Sequence, residues 1–168
     1  MQEHELINKF GKEVYQNFWI FVENLKFDSK KQDALSVRKS ILTKISPSMA
    51  DKYKELCDEL AFSLYRSVFY DKKNVYLYAA FEAVSKGKEF YQKCWDQPNT
   101  IEPYIESIDQ FNNFSTVLPT EDDYFNINVP SPNDVLEDYD EYLDYISSVD
   151  NKKVNKKKSK NNIEDYED

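Results

Sequence analysis

Ile7, Phe10, Val14, Phe18, Phe21, Val22 and Leu25 recur three and four residues apart. That spacing lays one apolar stripe along an α-helix and predicts a first helix of about 25 residues, ending near Asp28-Ser29. Ala34, Leu35, Ile41, Leu42 and Ile45 predict a shorter second helix, stopped where Ser46 can cap the next one and Pro47 can take its first position. Met49, Tyr53, Leu56, Cys57, Leu60, Ala61, Leu64 and Val68 carry the third. A fourth spans Val75 to Trp95 with Leu77, Phe81, Val84, Phe90 and Cys94 near one side, although Val75 to Tyr78 alone also reads as a strand.

After Asp96-Gln97-Pro98 the pattern changes. Thr100 can cap a short helix bearing Ile101, Tyr104, Ile105, Ile108 and Phe111. Phe114 to Leu118 and Tyr124 to Val129 look extended, with a turn at Pro119-Thr120-Glu121-Asp122 between them. Ser131-Pro132 then opens a last helix to about Val149, striped by Leu136, Tyr139, Leu143 and Ile146. The fold class is mainly α, a compact bundle of about five to six helices with room for one small β-hairpin near 114–129. A single helical domain is expected over 1–150, its acidic partner-binding portion over 94–150, followed by a disordered charged tail over 151–168.

Charge changes this picture, because it is segregated. Residues 1–93 hold 16 basic and 13 acidic side chains, 94–151 hold none and 14, and 152–168 hold six and four, giving the net −9. A surface made acidic for solubility alone intersperses both signs, whereas this one builds a single-sign field suited to a basic partner. In the last helix Asp134, Glu137, Asp138, Asp140, Glu141 and Asp144 form seven like-charge pairs at i+3 or i+4. At about 0.2–0.5 kcal/mol each they cost roughly 1.5–3.5 kcal/mol at low salt, and the helix carries no basic side chain that relieves it. Six carboxylates over eleven residues also span about 16 Å of helix, roughly two-thirds of the charge density of duplex DNA at one phosphate per ~1.7 Å. Asp122, Asp123 and Tyr124 extend the candidate contact set upstream, and Tyr142 and Tyr145 add rings that stack on arginine or fill pockets, whereas Tyr139 suits the core better.

The usual catalytic signatures do not occur. His4 is the sole histidine, Cys57 and Cys94 are far apart in sequence, and neither Cys-x-x-Cys nor a glycine-rich phosphate loop is present among two glycines. The expectation is a non-enzyme without cofactor or metal. Both cysteines read as reduced and buried. The longest apolar run, Val75 to Phe81, has seven residues, short of a membrane span of roughly 20. The N-terminus Met1-Gln2-Glu3-His4-Glu5 lacks the positive start of a secretory leader, so a cytoplasmic location is expected. Lys152 to Lys160 reads as a solubilising tail that folds back on the acidic face; direct nucleic-acid binding is opposed by residues 94–151.

In charge and size the chain resembles the small, acidic immunity and nucleic-acid-mimic proteins of bacteria and phages. That resemblance implies an inhibitor that fills the basic active-site cleft of a nuclease toxin or other nucleic-acid enzyme. The same charge equally suits a non-inhibitory helical adaptor or assembly factor that leaves its basic partner active. Both readings place the contact on Asp122, Asp123, Tyr124, Asp134, Glu137, Asp138, Asp140, Glu141, Tyr142, Asp144 and Tyr145.

Overall fold

A computed structural model describes residues 3–125 and 134–149. The chain divides into two units, residues 1–130 and 131–168. The expected boundary at 150/151, the charged tail and the Ser131-Pro132 cap all lie outside the described residues.

The first unit is built from α1 (Glu3–Phe10), α2 (Lys12–Leu25), α3 (Ala34–Ile41), α4 (Pro47–Val68), α5 (Val75–Ser85), α6 (Lys88–Asp96) and the single turn α7 (Glu102–Ile105). Three 3-10 turns accompany them, at Pro98–Ile101, Phe114–Thr116 and Glu121–Tyr124. The second unit contributes α8, residues 134–149. The chain is mainly helical, and no β-strand occurs among the described residues.

Two of the helices expected to be continuous are broken, and in each case a glycine does it. The first breaks at Gly11 (φ 92°) and the fourth at Gly87 (φ 104°), the two glycines of the chain. Such backbone is open to glycine and costly for a side chain bearing Cβ. Gly87 has a second reason to lack a side chain. A Cβ there would stand 3.0 Å from Oε1 of Glu23, the carboxylate that accepts from the Lys88 N–H at the start of α6. The helix expected from Thr100 to Phe111 is also shorter than its apolar spacing suggests. It begins in the turn at Pro98, ends at Ile105, and Thr100 lies within that turn instead of capping a helix. Pro103 suits the first turn of α7, where an N–H has no helical partner in any case.

The core lies around α4 and α5. Leu56, Cys57, Leu60, Ala61 and Leu64 of α4 are buried, and α5 buries Leu77 to Phe81 without interruption, so its apolar residues surround the helix rather than striping it. Aromatic pairs tie the other helices on: Phe18 and Phe21 of α2 meet Tyr53 at ring separations of 5.7 and 5.4 Å, and Trp19 meets Tyr91 of α6 at 5.6 Å. Tyr91 then donates to the Leu60 carbonyl at 2.7 Å, satisfying its buried hydroxyl.

The segment expected to begin a hairpin is instead a buried turn. Asn113 accepts from the Ser115 N–H, and Phe114, Ser115, Thr116, Val117 and Leu118 are all buried. Five consecutive buried residues cannot alternate between two faces as a half-exposed strand does, and a compact turn under the core accommodates them. The second arm, 124–129, falls mostly outside the described residues. Asn112 fixes the approach to this turn. Its side chain donates to the Ser29 and Gln32 carbonyls and accepts from the Ala34 N–H at 2.7 Å.

Candidate functional site

The acidic residues of the sequence separate into two kinds. At the end of the first unit, Thr120 and Asp123 form a reciprocal cap on the turn Glu121–Tyr124, with the Thr120 N–H donating to Asp123 Oδ2 at 2.8 Å. The same carboxylate pairs with the Arg38 guanidinium of α3. Arg38 also donates to the Thr116 carbonyl at 3.2 Å. Asp123 is 2% exposed and Arg38 6%. Removing such a pair from water costs several kcal/mol per ion unless the remaining polar atoms are bonded, and here the pair also closes the turn onto α3.

Asp123 is therefore turned inward, and it cannot meet a partner without breaking this pair. Tyr124 is likewise committed within the fold: its hydroxyl donates to the Ile45 carbonyl at 2.6 Å, and burial with the Asp123 charge beside it raises its pKa. Of the three upstream candidates, Asp122 alone is exposed. Structure adds neighbours that lay outside the candidate contact set. Glu121 is exposed, its N–H is held by Asp51 of α4 at 2.6 Å, and Asp51 is exposed as well. Phe125 follows, 84% exposed.

Helix α8 holds the remaining candidates. Asp134, Glu137, Asp138, Asp140, Glu141 and Asp144 are all exposed, whereas Leu136, Tyr139, Leu143, Ile146 and Val149 are half-buried. At about 100° per residue, Asp134, Glu137, Asp138, Glu141 and Asp144 share an arc of roughly 120°, with Asp140 at its flank. Tyr145 falls inside that arc and is 60% exposed. Tyr142 falls outside it, half-buried, with its ring 6.3 Å from that of Tyr139. The two tyrosines expected to act together thus differ. Tyr145 stands among carboxylates, and Tyr142 pairs with the residue assigned to the core.

Residues for metal or nucleophile chemistry are not gathered. No group of three or more His, Cys, Asp or Glu side chains arranged to hold a metal occurs among the described residues. His4 is exposed on α1. Cys57 and Cys94 are free and buried; burial pushes the Cys94 thiol up to about 11 and the Cys57 thiol higher still, which makes both poor nucleophiles. One cleft of about 710 Å³ opens between α6 and α7, walled by Phe90, Pro98, Pro103 and Tyr104. Its polar rim, Lys93, Gln97 and Asn99, is exposed. No helix among the described residues is long and apolar enough to cross a membrane.

Comparisons with protein-family models, with curated proteins and with solved structures returned no match.

Proposed function

We propose that this chain is a cytoplasmic, non-catalytic inhibitor of the immunity type, whose acidic helix occupies the basic active-site or nucleic-acid-binding cleft of a partner such as a nuclease toxin. The observation that carries the reading is the composition of one face of α8. Five exposed carboxylates share an arc that also presents Tyr145, and residues 134–149 include no lysine or arginine. A cleft built to hold phosphates presents arginine and lysine at comparable spacing, so α8 offers it a protein substitute for nucleic-acid charge. Tyr145 supplies a ring on which an arginine can stack while the carboxylates around it take the neighbouring cations. Steering by this field makes capture fast and sensitive to salt.

The contact set is Asp134, Glu137, Asp138, Glu141, Asp144 and Tyr145, with Asp140 and Tyr142 at its edge and Asp122 as a separate contribution from the first unit. Asp123 and Tyr124 are left out because Asp123 is buried in its pair with Arg38 and Tyr124 is half-buried with its hydroxyl on the Ile45 carbonyl. A non-inhibitory adaptor would use the same face, and the two readings part on the activity of the bound partner.

The deciding experiment is affinity capture from the native cell at low and then high salt, followed by a nuclease assay on the eluate. The inhibitor reading expects one basic nuclease that is silent in the complex and active once salt frees it. A partner active throughout supports the adaptor. Absence of any basic partner, or unchanged capture after Glu137→Lys, Asp138→Lys, Glu141→Lys and Asp144→Lys together, sinks both.

A further inference from the structure

Against the acidity of the chain, one exposed corner of the first unit has the opposite character. Where α4 ends and α5 begins, Arg66, Tyr70, Lys72 and Lys73 are all exposed, with Asp71 the sole acidic residue between Arg66 and Asn74. Arg66 is one of two arginines in the chain, and the other, Arg38, is buried in its pair with Asp123. Tyr70 is 73% exposed. Cations at a helix C-terminus complement the helix dipole, and that alone accounts for Arg66. It does not account for the exposed ring of Tyr70 or for Lys73; Lys72 stands over the Tyr76 ring, 5.8 Å from its centre.

The corner is firmly built. Phe69, 1% exposed, anchors it in the core, and its ring lies 5.4 Å from that of Tyr76. The backbone bonds Phe69 N–H to Tyr65 O (3.0 Å), Lys72 N–H to Phe69 O (2.8 Å) and Tyr76 N–H to Lys73 O (2.9 Å) fix the turn. The exposed side chains are thus carried on an ordered backbone, which lowers the entropy lost when they are covered. Arginine and tyrosine are also the residue types that dominate binding energy at protein interfaces.

We infer that this corner is a docking surface for a second copy of the chain, and that its occupant is the acidic face of the other copy's α8. Complementarity of chemistry carries the choice. Arg66, Lys72 and Lys73 face carboxylates supplied by Glu137, Asp138, Glu141 and Asp144, and each surface brings one exposed tyrosine, Tyr70 and Tyr145, to pack or to stack on the opposite cation. The two surfaces differ from each other, so the contact is heterologous, each copy offering one half of it from the first unit and the other half from α8. A few residues on each side make a small interface, so association is weak, visible at high protein concentration, and lost with salt. It requires no other protein. Because it covers the face assigned to a basic partner, such a partner dissociates the assemblies on binding.

The test is sedimentation velocity of the purified full chain over a hundredfold concentration range at about 20 mM and about 500 mM salt. The expected result is a weight-average mass that rises with concentration at low salt and stays at the monomer value at high salt. A first variant, Arg66→Glu with Lys73→Glu, and a second, Glu137→Lys with Asp138→Lys, Glu141→Lys and Asp144→Lys, should each remain monomeric at low salt with unchanged far-UV circular dichroism. Mixing the two variants should restore association, since each then offers the other complementary surfaces. A monomer at every concentration, association that persists in either variant, or a mixture that stays monomeric overturns the inference. None of these outcomes depends on a nuclease, so failure here leaves the inhibitor reading standing, and failure of that reading leaves this one standing.

Discussion

Replacing Asp123 by alanine tests whether this carboxylate holds the fold or meets a partner. In the folded chain its Oδ2 takes the Arg38 guanidinium and the Thr120 N–H, and both Asp123 and Arg38 are nearly inaccessible to water. Alanine leaves the guanidinium buried with one neutral acceptor, the Thr116 carbonyl, while its Nε already has no hydrogen-bond partner. Breaking a buried pair by removing one member costs about 3–5 kcal/mol, because the survivor is left uncompensated. The loss of the Thr120 cap falls within that range. With a urea dependence of about 2 kcal/mol/M, the midpoint of unfolding should fall by about 1.5–2.5 M. Asp122→Ala, one residue away and exposed, should shift it by less than about 0.3 M, the surface-substitution range. Arg38→Met combined with Asp123→Leu should recover much of the loss, since a packed apolar pair is often as stable as the ions it replaces. Urea melts followed by circular dichroism measure all three. A loss below about 1 kcal/mol for Asp123→Ala would refute the buried pair, and Asp123 would return to the candidate contact surface.

Further outcomes follow from the same structure. Gly11→Ala and Gly87→Ala should each cost about 1–3 kcal/mol, since both positions need a backbone reserved for glycine; Gly87→Ala should be the worse of the two because its Cβ meets Glu23, and equal midpoints in urea would contradict that. At pH 8 the Cys94 thiolate fraction should be about one in a thousand, so a thiol reagent should titrate both cysteines only after unfolding, and rapid labelling of the native chain would refute their burial. Burial raises the pKa of Asp58, with Lys54 at 2.6 Å opposing it. The folded state therefore binds more protons there than the unfolded one between the ordinary carboxylate pKa and the raised value, so acidification through that window should stabilise the parent relative to Asp58→Asn. A parent that loses stability relative to Asp58→Asn as pH falls would reverse the sign. Glu141→Lys replaces three like-charge pairs of α8 with attractive ones and should raise helix content at low salt while weakening capture of a basic partner; unchanged capture would move the contact elsewhere.

Helices were legible wherever one apolar stripe ran without a special backbone position, as in α4, whose Ser46 cap and Pro47 start are both formed. Periodicity failed at Gly11 and Gly87 because apolar spacing constrains side chains, whereas a break is set by φ, and apolar residues continue on both sides of each glycine. Their scarcity was itself the usable signal. A chain with two glycines places each where no other residue fits, and both mark helix junctions. Between Phe114 and Leu118 the sequence carried no sign that Ser115 and Thr116 are buried along with their apolar neighbours, and it is the Asn113 cap, together with that burial, that makes the segment a turn.

The candidate site divides along the same physical line. A count of charge in sequence treats Asp122 and Asp123 as equivalent, yet one carboxylate faces water and the other faces Arg38, 85 residues distant in sequence. The partner of a buried charge is set by tertiary contact, and short-range spacing carries no trace of it. In α8 the helical period sorts the side chains unaided: its charges and its apolar residues already lie on opposite sides of a 3.6-residue turn, and Tyr145 separates from Tyr142 by phase alone. A contact on α8 can therefore be designed from sequence, residue by residue, whereas a contact near Asp122 has to be designed around the Arg38 pair.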